Sequence, residues 1–308
     1  MMLSKLQQKY PESKLYKVPP SELIPDHLLL ANETNEEFLS IPKQNLSNGE
    51  MELLLTLFSE AVPSGNIQNK TEESKNWHEY LYEGDSLKFR VSPKDMYRII
   101  QFSIEEKVET DLLTEALRSI FAEQAVIVFN SPASGAIVEK KTEWTLPEEE
   151  LLSAAAVIEG DFYVSPRFFI GRFYSIDDSF LSFFEEERNL FSFAEKNISK
   201  GRVFTFPSTF PPFALHHVPK QTKTRMFADI KGVFAEDEEL KKTIETYLEN
   251  QSNTSQTAKA LFMHRNSVQY RIDKFIEKIG IDIKTFQGAL TVYLACLETE
   301  EDNNNMGD

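Results

Sequence analysis

The chain has 308 residues, 41% of them hydrophobic, and its 49 acidic and 33 basic side chains give a formal charge of −16 at pH 7. That balance excludes sequence-independent binding of nucleic acid or an anionic membrane by the whole surface, so any such contact must be local. Cys296 is the single cysteine, which excludes an intramolecular disulfide and a cysteine metal cluster.

The length allows two or three domains. The opening residues, MMLSKLQQKYPESKL, lack the continuous apolar stretch of a signal peptide. The longest apolar run, LLSAAAVI at 151–158, is too short to cross a bilayer. A soluble, cytoplasmic protein without membrane partners is expected.

Residues 1–58 mix turn signals (Pro11, Pro19, Pro20, Pro25) with short apolar groups and end in a helical pattern, GEMELLLTLF. The polar stretch 62–78, VPSGNIQNKTEESKNWH, reads as a loop or linker. Helical spacing over 111–123 places Leu112, Leu113, Ala116, Leu117, Ile120 and Phe121 on one helix. The β-rich runs AVIVFN (125–130) and GAIVEK (135–140), joined by a short turn, predict a hairpin. A helix is expected over 148–158, then an extended aromatic run over 162–174 with Pro166 at a bulge or edge. Over 177–196 a helix capped by Asp177 or Asp178 should bury Phe180, Phe184, Leu190, Phe191 and Ala194. RVFTF (202–206) predicts another strand, and the Pro-rich 207–222 an irregular segment. The whole implies an α+β chain: an N-terminal region over 1–80, a mixed α/β domain over 81–222, a helical domain over 223–298 and a disordered acidic tail over 299–308.

Four helices fit residues 236–298. The first, about 237–249, turns Leu240, Ile244, Tyr247 and Leu248 to one side. Ser255 is the expected N-cap of a second, over 256–262, with Ala258, Leu261 and Phe262 inward. The third, from Arg265 to Ile279, should bury Val268, Ile272, Phe275 and Ile279 and stop at Gly280. The fourth, about 284–298, should bury Phe286, Leu290, Tyr293, Leu294 and Leu297.

A short helix, a tight turn and a longer helix is the layout of a helix-turn-helix. With Val268 and Ile272 inward, Arg265, Asn266, Gln269, Tyr270, Arg271 and Lys274 are left outward. Arg can donate two bonds to guanine, and Asn or Gln can pair with adenine. Ser267, Tyr270, Lys274 and Lys278 are suited to phosphates, and His264 to a phosphate or to capping the helix. Within 251–280 five basic side chains face two acidic ones, a local excess of three positive charges on an acidic body. Such a patch acts over about 8–10 Å near physiological salt.

The stretch TAKALFMHRNSVQYRIDKFIEKIGIDI resembles the C-terminal helix-turn-helix of the PucR and CdaR (sugar-diacid regulator) family, related to the Fis-type module. The matching features are Asn253, Ser255, Thr257-Ala258, Ala260-Leu261, His264 to Ser267, Gln269 to Arg271, and Gly280 to Asp282. Ser267 and Val268 stand where the family usually has Thr and Leu, and Phe262 where it often has Tyr or Gly. The resemblance implies a transcriptional regulator that binds double-stranded DNA through His264, Arg265, Asn266, Ser267, Gln269, Tyr270, Arg271 and Lys274. A single such module binds weakly, so a homodimer reading two half-sites is expected, and a regulator of this type should sense a small-molecule or protein effector. A weaker resemblance over about 110–220 is to a degenerate GGDEF-like domain, whose signature turn reads NSPASG (130–135) here, without metal-binding carboxylates.

Other patterns point elsewhere only weakly. His216-His217 has no third ligand at recognisable spacing. Asp177-Asp178 and Glu185 to Glu187 fit a helix start and a solvated face. No nucleophile elbow, phosphate-cradling glycine loop or H-E-x-x-H motif occurs. No catalytic residue, metal or cofactor is assigned. The alternatives are an enzyme built on the central domain and an adaptor whose third helix docks on protein.

Overall fold

The structure, a computed structural model, describes residues 2–16, 19–20, 24–32, 37–61, 71–105, 110–121, 124–143, 145, 147–162, 165–199 and 201–304. Two compact units are present: Met1–Phe191 with Gly201–Phe206, and Ser192–Lys200 with Pro207–Asp308.

The first unit opens with α1 (Met2–Lys9) and a small antiparallel sheet of β1 (Lys14–Tyr16), β2 (His27–Ala31), β3 (Phe38–Pro42) and β4 (Ser59–Glu60), in the order β1-β3-β2-β4. Period-two alternation divides β2. Leu28 and Leu30 join Leu39, Ile41, Leu3 and Leu54 in one cluster, while Leu29 and Ala31 meet Phe38 on the other face. The helical pattern at 49–58 forms α2 (Asn48–Leu57), started by a capping box in which the Ser47 hydroxyl accepts from the Glu50 N–H and the Glu50 carboxylate accepts from the Ser47 N–H. The sheet itself has no counterpart in the sequence reading of this region.

The loop expected over 62–78 is corrected in part. Residues 62–70 lie outside the described residues, but Glu72–His78 form a helix, α3. Thr71 and Ser74 cap it reciprocally, and it buries Trp77 and His78. A polar window hid a helix because only one large apolar residue in it faces the core.

The central sheet holds β5 (Met96–Ile104), β6 (Val126–Ser131), β7 (Ser134–Lys140), β8 (Pro166–Ile170), β9 (Tyr174–Ser175) and β10 (Val203–Thr205). Its order is β10-β8-β5-β7-β6, with β9 also on β5. Only β10 with β8 is parallel; the other pairings are antiparallel. One face (Ile100, Phe102, Phe129, Ile137, Phe168) packs on α4 (Thr110–Ile120) and α5 (Glu148–Phe162). The other (Ile99, Val128, Ala136, Val138) packs on Trp77 and on Phe180 and Phe184 of α6 (Phe180–Asn197). The hairpin closes tightly at Gly135, where a Cβ would stand 2.3 Å from the Val128 carbonyl oxygen and 2.7 Å from the Phe102 ring. Its turn is held by hydroxyls, with Ser134 Oγ donating to Asn130 Oδ1 at 2.8 Å.

Pro166 is neither at a bulge nor on an edge strand. It is the first residue of the interior strand β8, opposite Ile104, and pairing with β10 begins at Phe168. A proline at a strand's first residue gives up no ladder bond. Upstream, the aromatic run starts in a helix, since α5 extends to Phe162. Asp177 caps the entry to α6, its Oδ1 accepting from the N–H and the hydroxyl of Ser179.

The Pro-rich 207–222 is corrected from irregular to helical: α7 (Phe206–His216) and α8 (Lys220–Met226). Pro207 falls in the first turn, where its missing N–H costs nothing. Pro211 and Pro212 forfeit helical bonds, but Thr209, Pro212 and Leu215 are buried, and Phe213 sets its ring edge-on to Phe193 at 5.3 Å. Burial outweighs propensity here. His217 bonds the Phe213 carbonyl through Nδ1 and His216 packs on Phe193, while the two imidazoles meet edge-on at 5.8 Å. The helices α9 (Ala228–Glu236), α10 (Glu238–Glu249), α11 (Thr254–Ala260), α12 (Arg265–Ile279) and α13 (Phe286–Asn304) complete the second unit.

Two expectations for α13 fail in part. Leu294 and Leu297 pack half-buried on the core as expected, but over 286–298 the buried residues are Gly288, Val292, Ala295, Cys296 and Glu298, while Phe286 and Leu290 are 77% and 44% exposed. The small residues Ala295 and Cys296 sit closest to the core, and Glu298 is drawn in by Lys223 at 2.7 Å and Lys231 at 3.5 Å. The helix also runs to Asn304, through most of the stretch expected to be disordered; residues 305–308 lie outside the described residues. Among the described residues no helix is long and apolar enough to cross a membrane.

A buried carboxyl makes the first unit sensitive to pH. Glu187 of α6 accepts from the Arg172 N–H at 2.9 Å and the Tyr174 hydroxyl at 3.3 Å. Burial pushes its pKa up from 4.5 to about 7, against the opposing pull of those donors and of the Arg172 charge. A raised folded-state value means that the unfolded chain ionises first. Stability from this group is therefore intact below about 4.5 and falls until about 7, a loss of about 3 kcal/mol. Glu187→Gln should remove that decline, so that urea unfolding between pH 5 and pH 8 changes less for the variant than for the parent.

Candidate nucleic-acid interface

The site is built on how α12 is anchored. Val268, Ile272 and Phe275 are fully buried at i, i+4 and i+7, against Leu240, Ile244 and Tyr247 of α10, Ala258 of α11, and Phe234 of α9, whose ring stacks on Phe275 at 5.4 Å. At about 1.5–3 kcal/mol for each large apolar side chain buried, these contacts fix the rotation of α12 about its axis. The helix ends at Gly280, whose φ of +70° is the left-handed conformation that glycine adopts freely.

The first two elements of the motif differ in detail from expectation. α11 spans Thr254–Ala260 and its N-cap is Asn253, not Ser255. Asn253 Oδ1 accepts from the N–H groups of Ser255 and Gln256, at 3.0 and 3.1 Å. Two residues ahead of it, Gln251 and Ser252 adopt left-handed φ, which turns the chain so that Asn253 arrives extended. Phe262, expected inward, is 98% exposed at the turn into α12, with φ +53°. A bulky side chain in that conformation is uncommon.

His264 caps α12. Its Nδ1 accepts from the Asn266 N–H at 3.2 Å, so the ring proton sits on Nε2. The exposed face then carries Arg265, Asn266, Ser267, Tyr270 and Lys274. Tyr270 is 66% exposed. Among the described residues, the side chains of Arg265, Tyr270 and Lys274 have no hydrogen-bond or ion-pair partner. Lys259, exposed on α11, adds a further cation.

Two residues of the expected set are engaged inside the molecule. Gln269 donates to Asp273 Oδ1 at 3.0 Å. Arg271, 27% exposed, reaches back to α10: Nη2 donates to Glu239 Oε2 at 2.6 Å, and Nη1 to Thr243 Oγ1 at 2.9 Å and the Glu239 carbonyl at 3.3 Å. Lys278 likewise meets Glu236 at 3.0 Å, and Lys284 meets Asp273 at 2.8 Å, the latter bond holding the Asp273 carboxyl below its usual range. Helical periodicity shows Arg271 and Lys278 as outward; it cannot show the carboxylates of α10 and α9, 32 and 42 residues away. Beside the exposed face runs a groove of about 540 Å³, lined by Asp237, Met263, Asn266, Tyr270, Arg271 and Lys274 among others. The arrangement offers amide, guanidinium, ammonium and phenol donors along a rod that fits a major groove.

The comparisons with known proteins converge on this region. Residues 240–297 match the family model for the PucR C-terminal helix-turn-helix domain. An uncharacterized protein of Bacillus subtilis (strain 168), YxkF, is 37% identical over 273 residues, covering 89% of this chain and 91% of that protein. The chain belongs to the PucR/CdaR family. Within it, the purine catabolism regulatory protein of Bacillus subtilis (strain 168) is 40% identical over 60 residues, 20% of this chain and 11% of that protein. The carbohydrate diacid regulator of Escherichia coli (strain K12) is 34% identical over 62 residues, 20% of this chain and 16% of that protein. The protein is a DNA-binding transcriptional regulator of PucR/CdaR type, with a mixed α/β region ahead of its helix-turn-helix.

The cap assignment in this PucR-type module is open to measurement. Asn253→Ala should cost the second unit about 1 kcal/mol, while Ser255→Ala should stay within about 0.5 kcal/mol. Denaturant titration followed by far-UV circular dichroism distinguishes the two.

Proposed function

We propose that this regulator reads double-stranded DNA by laying α12 in the major groove, with Arg265 and Asn266 at base edges. Lys274, Ser267 and Tyr270 hold phosphates, and the His264 Nε2–H points outward as a further phosphate donor. One observation carries the reading: a single exposed face collects Arg265, Asn266, Tyr270 and Lys274 while the opposite face of the same helix is fully buried. Gln269 joins the readout only by exchanging Asp273 for a base, and Arg271 only by leaving Glu239.

A single module of this size binds weakly, and two half-sites read by a two-fold dimer are the usual remedy. The regulator is therefore assigned as a cytoplasmic homodimer. The region before residue 222 is assigned to sensing an effector, a metabolite or a partner protein, and no catalytic role is given to it.

The substitutions Arg265→Ala and Lys274→Ala separate the two kinds of contact. Selection of bound fragments from genomic DNA with the purified chain supplies the half-site and its spacing. On that site, Arg265→Ala should cost about 1–3 kcal/mol and relax the preference at one base pair. Lys274→Ala should weaken all duplexes alike and reduce the salt slope by about one. If fluorescence anisotropy shows neither change, α12 docks on something other than DNA.

A further inference from the structure

The cations of α12 fall into two groups. Toward its N-terminal end, Arg265 and Lys259 of the preceding helix are exposed, and among the described residues neither has an ion-pair partner. Along the flank that faces α9 and α10, two of the outward cations meet a carboxylate. Arg271 is clamped by Glu239 at 2.6 Å and Lys278 by Glu236 at 3.0 Å, while Asp237 shares the groove wall with Lys274. Glu239 and Glu236 are themselves 81% and 70% exposed, so burial does not compel these acids to be there. An exposed pair adds little to stability. Thr243 Oγ1 and the Glu239 carbonyl would hold the Arg271 guanidinium in place without the carboxylate.

What the two carboxylates change is the field that a phosphate backbone meets. The affinity of any duplex, right or wrong in sequence, rises with each phosphate neutralised. On a random duplex, held by charge alone, the protein samples poses in which this flank meets the backbone, and acids placed on its cations weaken those poses. On the selected site base-edge contacts fix one pose with the flank turned away, so the ratio between right and wrong sites widens. We propose that Glu236 and Glu239 are specificity-determining residues of this regulator: they withhold Lys278 and Arg271 from non-specific DNA. This rests on α12 being the DNA-reading helix.

The test uses the full chain carrying Glu236→Gln and Glu239→Gln together, each alone, and Glu249→Gln as a control. Glu249 is an exposed acid at the far end of α10, so it makes the same change in net charge away from α12. Anisotropy titrations against a random duplex and the selected site, from low to moderate salt, read affinity and slope. The double variant should bind the random duplex about three- to tenfold more tightly at about 0.1 M salt, with a slope steeper by about 1.8. Its affinity for the selected site should rise less, each single variant should give about half the effect, and the control should give little. Unfolding midpoints within a degree or two of the parent show that the helices are intact; should the double variant unfold, the single variants carry the measurement. Unchanged slopes, equal gains on both duplexes, or an equal gain from Glu249→Gln overturn the proposal. Arg265→Ala in the same titration keeps the two ideas apart. If it weakens duplex binding while the Gln variants do nothing, the carboxylate role alone falls; if it too does nothing, the assignment of α12 falls and takes this proposal with it.

Discussion

Three buried side chains, Val268, Ile272 and Phe275, decide what the regulator can present to DNA. They occupy one face of α12 and lock it against α9, α10 and α11, so the helix cannot rotate without exposing all of them. Every outward residue is outward because these are not. The same seam sets which outward cations come near α10, and so why Arg271 ends up beside Glu239 while Arg265 does not. The partition between offered and withheld charge follows from helix packing, with no loop involved.

A second consequence concerns how few charges are left to act. The local excess of basic residues in the motif counts Arg271 and Lys278 as available, yet each lies within 3.0 Å of a carboxylate. The cationic footprint shrinks to Lys259, Arg265 and Lys274. On a body of −16 this is a narrow landing strip, and long-range attraction will be weak at physiological salt. In the proposed docking, discrimination then leans on the directional donors, which act only when the correct bases are opposite.

Legibility in the sequence followed the range of the interactions. α12 was readable to the residue, since four apolar positions at helical spacing, a terminal glycine and a capping His264 are all local signals. The β6–β7 hairpin and α6 were readable for the same reason. What stayed hidden depended on distant partners. α7 contradicts its own prolines because Phe193 and the core outweigh them. α13 is turned so that Ala295 and Cys296, weaker in hydrophobicity than Phe286 or Leu290, take the closest approach. α3 betrayed itself only by a Thr71 cap and one Trp. The Glu239–Arg271 pair joins residues 32 apart, beyond any local pattern.

The cap on α12 limits what can stand at position 264. His264 serves the helix through an acceptor, Nδ1, which takes the Asn266 N–H at 3.2 Å. A side chain that only donates, such as lysine, would leave that amide unanswered and loosen the first turn. The exchange of one cation for another, harmless on most surfaces, would here undo the start of the helix that carries Arg265 and Asn266.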